Sequence, residues 1–274
     1  MRHDTWLDAL AGELRRHGVA AETAGNVLAE TAAHLWESGD DPLRAFGPPQ
    51  AYAATVADSV RLEPPPRRAP GGPVRLEVLG ITKRYGRRTV LREVNLTVRA
   101  GEVAAVVGAN GSGKSTFLGI CAGLVSPDRG EVRVHGALGY CPQGGGTSDF
   151  LVPDEHFLLV GAGRGMSRAG ARDSGRAGAA ALDWDPRGGT QARHLSGGTR
   201  QKLNLVMAGL GDPDVLLLDE PYQGFDQGSY LDFWQQVRRW RDVGKAIVVV
   251  THLLNTRDGV DIVLDLTPRS EVRA

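Results

Sequence analysis

The sequence predicts an α/β fold preceded by a small all-α domain, on three observations. The apolar run Val103 to Val107 feeds into Gly108-Ala109-Asn110-Gly111-Ser112-Gly113-Lys114-Ser115-Thr116, and the helix-like run Phe117-Leu118-Gly119-Ile120 follows. Strand, glycine-rich loop and helix in that order is the setting of a phosphate-binding loop. Two further apolar runs, Val215 to Leu218 and Ala246 to Val250, end on Asp219-Glu220 and Thr251-His252, as buried strands that deliver polar residues do. Residues before the proline-rich stretch carry apolar side chains at helical spacing instead.

At 274 residues there is room for one full α/β domain plus something small. Lys+Arg 32 against Asp+Glu 32 argues against a general nucleic-acid-binding surface. Cys121 and Cys141 lack metal-ligand spacing and lie in apolar segments, so they read as reduced, buried thiols of a cytosolic protein. No run reads as a secretory signal or as long enough to span a bilayer. Work at a membrane would require another chain to supply the spanning helices.

Residues 1–62 read as the helical domain. Trp6, Leu10 and Leu14 share one face of a first segment, and Val27, Thr31 and Leu35 one face of a second. Asp4-Thr5 and Asp41-Pro42 supply helix starts. Gly47-Pro48-Pro49 then leads to an alanine-rich segment with Tyr52 and Val56, a core too small to promise much stability alone. Residues 63–73, with Pro64-Pro65-Pro66 and Pro70-Gly71-Gly72-Pro73, form a stiff linker that marks the domain boundary.

The main domain is assigned to residues 74–268, with a tail at 269–274. Val74 to Val78 and Val94 to Val98 alternate like half-exposed strands. Between them, Tyr85 of Lys83-Arg84-Tyr85-Gly86 is placed to stack on a purine, a contact worth about 1–3 kcal/mol in comparable base stacking. Ser126 to Gly130 reads as a turn, Glu131 to Val134 as a short strand, and Leu138 to Gln143 as an apolar strand ending on an amide. Residues 161–192, rich in Gly, Ala and Arg with weak periodicity, predict mobile helices joined by loose turns.

The loop itself states its chemistry. Gly108, Gly111 and Gly113 let main-chain N–H groups close on a phosphate where a Cβ would obstruct. The helix beginning near Lys114 points its positive end at the same anion. Lys114 would neutralise the β- and γ-phosphates, and the Ser115 hydroxyl would complete the shell of a Mg²⁺ ion.

Leu195-Ser196-Gly197-Gly198-Thr199-Arg200-Gln201, taken with this loop, resembles the signature of the ATP-binding subunits of ABC transporters. Val215 to Pro221 resembles their Walker B strand and catalytic glutamate, Gly224-Phe225-Asp226 the D-loop, and Thr251-His252 the switch histidine. Gln143 resembles the Q-loop and Tyr85 the aromatic A-loop, and the motifs run in the family's order from residue 74 to about 267. Leu43-Arg44-Ala45-Phe46-Gly47-Pro48-Pro49 followed by Tyr52 resembles HAAS, a small helical domain that accompanies bacterial regulators and membrane proteins.

The resemblance implies a P-loop NTPase of ABC type: a mixed sheet core, an antiparallel β-subdomain and an α-helical signature subdomain. The short span from Gly130 to Gln143 predicts that the β-subdomain is trimmed. Catalytic roles are implied for Glu220, His252 and Lys114. Nucleotide contacts are implied for Tyr85, Gly108, Ala109, Asn110, Gly111, Ser112, Gly113, Lys114, Ser115, Thr116, Gln143, Ser196, Gly197, Gly198 and Asp226. Mg²⁺ would be held by Ser115, Gln143 and Asp219, which fits a pair of adjacent carboxylates that is costly without a cation. In these implied roles Asp219 would act largely through the ion's water shell, Glu220 would orient or deprotonate the attacking water, and His252 would sense the γ-phosphate.

Ser196, Gly197 and Gly198 open a helix in a separate subdomain, and in the resembled family that anion site closes on the nucleotide of a partner copy. The resemblance therefore implies a head-to-tail homodimer or heterodimer that sandwiches two ATP molecules and opens after hydrolysis. A separately encoded permease is expected to dock near Gln143 and the helices beyond it, which places the chain in the cytoplasm, peripheral on the inner face of the cell membrane. No nucleic-acid partner is expected. Thr199-Arg200-Gln201-Lys202 and Gln223-Gly224-Phe225-Asp226 depart from the commonest family wording, but neither departure removes a phosphate ligand. The chain stops soon after Leu266, without the carboxyl-terminal regulatory domain of many sugar importers, so the expectation is an exporter-type subunit. The alternatives are an importer subunit and a soluble, non-transport ABC ATPase acting on ribosomes or DNA.

Overall fold

The computed structural model describes residues 3–19, 24, 25, 27, 28, 31, 32, 35, 41–61, 71–225, 227–251 and 259–267. The chain divides into two compact units, one of Met1–Arg67 with His252–Gly259 and the other of Arg68–Thr251 with Val260–Ala274. The first contains α1 (His3–Arg16), α2 (Pro42–Phe46) and α3 (Pro49–Arg61). Trp6, Leu10 and Leu14, one face of α1, are fully buried, and Thr31 and Leu35 are buried with them. The Trp6 ring lies 5.7 Å from that of Phe46 and 5.9 Å from that of Tyr52, and its indole N–H donates to the Gly47 carbonyl at 3.0 Å. Asp41 caps α2 by accepting the Leu43 N–H at 2.9 Å, as the Asp-Pro pair requires.

The second unit is built on two sheets. β1 (Val74–Tyr85) and β2 (Arg88–Arg99) form an antiparallel hairpin, and β4 (Arg129–Val134) pairs with the other edge of β1. The order β2-β1-β4 makes a trimmed, three-stranded antiparallel sheet. The hairpin strands are longer than their alternating stretches. Register shifts at Val78/Ile81, with Gly80 and Glu93 both at positive φ, break the two-residue period midway along each strand.

The five-stranded sheet is parallel. It comprises β3 (Val103–Val107), β5 (Leu138–Cys141), β6 (Val215–Asp219), β7 (Ala246–Val250) and β8 (Ile262–Asp265), in the order β5-β6-β7-β3-β8. Both faces are covered, which is why β3, β6 and β7 read as continuous apolar runs. Leu216 and Leu218 of β6 and Ile247 and Val249 of β7 face one cluster; Val215, Leu217, Val248 and Val250 face the other. The second cluster includes Phe117 and Leu118 of α4 (Lys114–Cys121) and the inner side of the hairpin. The first gathers α5 (Pro153–Gly163), α6 (Arg168–Ala180), α7 (Gly197–Gly209) and α8 (Gln227–Asp242).

The expectation of loose helices over 161–192 is overturned. Ala171, Gly175 and Ala179 of α6 are buried at four-residue spacing, a seam of small residues that lets α5 approach closely. A Cβ at Gly175 would lie 2.3 Å from the Phe157 ring. Asp154 at the start of α5 also receives the Arg176 guanidinium, its Nε at 3.1 Å. The weak periodicity reflects close packing through glycine and alanine rather than want of contacts.

Candidate functional site

Parallel strands bring their carboxyl ends to one edge, and the predicted residues follow from there. Val106 and Asp219 both lie opposite Val250, and Cys141 opposite Leu218. The residues that leave these strands are Gly108 after β3, Gln143 after β5, Glu220 after β6 and Thr251 after β7.

The loop after β3 has the geometry its glycines promised. Gly108 and Gly113 lie at φ +142° and +101°. A Cβ on Gly113 would come within 2.6 Å of Val90 Cγ1, and one on Gly108 within 2.7 Å of Ser112 Oγ. Ala109, Asn110 and Gly111 are exposed, as is Ser115 on the first turn of α4, while Thr116 is half-buried. The Lys114 side chain is buried, and its ammonium donates to the carbonyls of Gly108 at 2.7 Å and Ala109 at 3.3 Å. Ser112 Oγ is buried with no hydrogen-bond partner among the described residues, a polar atom left over inside the loop. Arg88, which the sequence reading passed over, donates to the Gly111 carbonyl at 2.8 Å from the start of β2. Tyr85 closes β1 with 52% of its surface exposed, and the Lys83 ammonium stands 5.4 Å from its ring centre.

Across the sheet edge, Asp219 is buried at the last position of β6. Its charge adds to burial in raising two neighbours. The Tyr140 hydroxyl is pushed up to about 12, by burial first and Asp219 second, and the Cys141 thiol is raised by the same pair of causes. Glu220 follows at φ +45°, and its Oε2 accepts the Gln143 amide at 2.8 Å. Residues that sequence reading assigned separately, 77 positions apart, are thus in direct contact.

The serine-glycine-glycine element lies at the start of α7. Ser196 is the exposed N-cap, its Oγ accepting the Thr199 N–H at 3.2 Å. Gly198 is held to glycine by the fold: a Cβ there would lie 2.4 Å from the Gly224 carbonyl. One turn on, buried Gln201 donates to the Pro142 carbonyl at 3.3 Å and accepts from Asn204 at 3.1 Å, joining α7 to the segment that carries Gln143. Asp226 and His252 lie outside the described residues.

Comparison with known proteins decides the family. Over 192 residues the chain is 37% identical to the zinc import ATP-binding protein ZnuC of Roseobacter denitrificans, covering 66% of this chain and 70% of that protein. The chain belongs to the ABC transporter ATP-binding proteins. The ABC transporter family profile matches residues 91–223. The aliphatic sulfonates import ATP-binding protein SsuB 1 of Burkholderia lata is 34% identical, over 71% of this chain and 62% of that protein. The Nod factor export ATP-binding protein I of Ralstonia nicotianae is 30% identical, over 71% and 64%. Among solved structures, a dimeric bacterial ABC transporter cassette superposes with a TM-score of 0.65 at 25% identity, over 70% of this chain and 94% of that one. An ATP-binding subunit of an ABC transporter superposes at 0.64 and 26%, over 70% and 86%.

ABC ATP-binding subunits are ATPases, and this chain is one. Such subunits dimerise and work with membrane permeases. Among the described residues no helix is long and apolar enough to cross a membrane.

Proposed function

We propose that this ABC subunit hydrolyses ATP to drive a separately encoded permease, through closure of two cassettes on two nucleotides. The Gln143–Glu220 hydrogen bond beside the phosphate loop carries this reading, because it joins the permease-facing Q-loop to the proposed base. Residues 74–268 are the ATP-binding domain in this reading, and residues 1–62 a HAAS-like helical domain beyond a linker at 63–73.

The residues fit a triphosphate and its metal. Glycine at 108 and 113 lets the loop turn at positive φ against Val90 and Ser112, where a Cβ would clash, and Lys114 exchanges the Gly108 and Ala109 carbonyls for phosphate. The hydroxyl of Ser112 gains a partner in the same event. Tyr85 stacks on the base; Asn110, Gly111 and Thr116 complete the cradle. No group of three His, Cys, Asp or Glu side chains gathers among the described residues, which suits an ion held mainly by phosphate and water. Ser115, Gln143 and Asp219 would hold Mg²⁺, which supplies charge neutralisation between the β- and γ-phosphates. Glu220 orients or deprotonates the attacking water, and His252 contacts the γ-phosphate. Ser196, Gly197, Gly198 and Asp226 serve the nucleotide of the second copy. The subunit then lies on the cytoplasmic side of the membrane, held there by its permease.

The expected direction is export, a reading supported by the Nod factor export relative. The importer reading is favoured by the 37% identity to the zinc import protein. ATP-dependent flux in vesicles containing this chain and its permease separates the two.

Two variants test the core reading. Glu220→Gln is expected to accumulate an ATP-bound dimer, and Lys114→Ala to lose nucleotide binding. Hydrolysis by Glu220→Gln at the parental rate would remove Glu220 as the base.

A further inference from the structure

The turn after β6 holds its acidic residue in a backbone conformation that needs support. Glu220 sits at φ +45°, where a residue with a Cβ persists only if its surroundings over-determine it. Within the turn, the Gln223 N–H donates to the Glu220 carbonyl at 3.1 Å and the Phe225 N–H to the Tyr222 carbonyl at 3.0 Å. Pro221, with its fixed φ, makes the link from Glu220 to Tyr222 short and stiff.

Tyr222 adds a restraint from outside the turn. Its hydroxyl lies 2.5 Å from Thr251 Oγ1. Thr251 is 1% exposed, and its N–H donates to the Val106 carbonyl at 3.2 Å, on the strand that enters the phosphate loop. The Tyr222 ring is fixed by Tyr230 edge-on at 5.2 Å and by Phe233 at 5.7 Å, both on α8. One side chain therefore ties the turn that bears Glu220 to the ends of β7 and β3.

We propose that Tyr222 is a positioning residue for hydrolysis: its hydroxyl, anchored on Thr251, holds Glu220 in register with the phosphate loop. The inference rests on the reading of Glu220 as the base and adds the group that keeps the base in place. A phenylalanine at 222 keeps the ring against Tyr230 and Phe233 and removes the hydroxyl that meets Thr251, so orientation can be separated from packing.

The test uses the full chain with Mg-ATP. Tyr222→Phe and Thr251→Val are each expected to lower kcat about tenfold, leaving KM and the Kd of a fluorescent ATP analogue within about twofold of the parent. The double variant should be no slower than either single, because both remove one contact. Thr251→Ser, which keeps the hydroxyl, should recover most of the rate. Amide exchange at Gln223 and Phe225 should quicken about tenfold in Tyr222→Phe while residues 108–113 stay unchanged. A parental kcat in Tyr222→Phe would overturn the inference, as would KM rising in step with the loss of kcat, or Thr251→Ser as slow as Thr251→Val. If Glu220→Gln itself keeps the parental rate, the base assignment fails instead. Exchange then decides the anchor, and unchanged protection at Gln223 and Phe225 overturns it.

Discussion

Burial sets the behaviour of the two thiols. Cys121 is held in the apolar cluster under α4, and burial pushes its ionisation from 9.0 up to about 12. The thiolate fraction at a given pH below both values falls about a thousandfold, so iodoacetamide at about pH 8 should leave Cys121 and Cys141 unmodified until urea exposes them. In the unfolded chain the thiol loses its proton first, so folded-state stability is full below pH 9.0 and declines as pH rises toward 12. Tyr140, also raised to about 12, contributes with the same sign. A urea midpoint that rises between about pH 8 and pH 10.5 would contradict this. Loop glycines were legible for a related reason: positive φ at Gly108, Gly111 and Gly113 is a demand that few other residues meet. The Tyr222–Thr251 contact was not, because the two residues are 29 positions apart and meet only when β6 and β7 pair.

Among the elements, what the sequence showed depended on whether a period survived. β3, β6 and β7 are unbroken apolar runs and were found with their ends, which placed Lys114, Asp219 and Glu220 at one sheet edge. The β1–β2 hairpin was found only in part, because bulges near Gly80 and Glu93 shift the alternation. For α6 the buried face is Ala171, Gly175 and Ala179, whose small side chains give little apolar signal although the packing is tight. Two glycines separate packing from propensity here. Gly175→Val, forced against Phe157, should lower stability by about 1–3 kcal/mol. Gly163→Ala, at the exposed end of α5 with nothing within 4 Å of an added Cβ, should be neutral or stabilise by up to about 1 kcal/mol. Thermal or urea melts of both variants check the contrast, and equal losses would refute it.

Across the whole molecule, the cassette carries its phosphate loop and its serine-glycine-glycine element on separate parts of one chain. Gly198 against Gly224 and Gln201 against Pro142 tie the signature helix to the D-loop and to the segment bearing Gln143. In the proposed dimer, a partner's nucleotide at Ser196 would act through these contacts on the segment whose Gln143 meets Glu220. If, as proposed, each copy holds half of each site, ATPase turnover per subunit should rise with protein concentration or on addition of the permease; a rate per subunit independent of both would argue against shared sites. The first unit has its own small core around Trp6 and Leu10. Deleting residues 1–61 is therefore expected to leave basal ATPase activity intact and to alter coupling to the permease, and insolubility of the shortened chain would point to a structural role. The central claim is met most directly by a crystal or cryo-EM structure of Glu220→Gln with Mg-ATP. The γ-phosphate should lie between the Lys114 loop of one copy and the Ser196-Gly197-Gly198 helix start of the other. Finding those two surfaces turned apart, with no phosphate between them, would contradict the account.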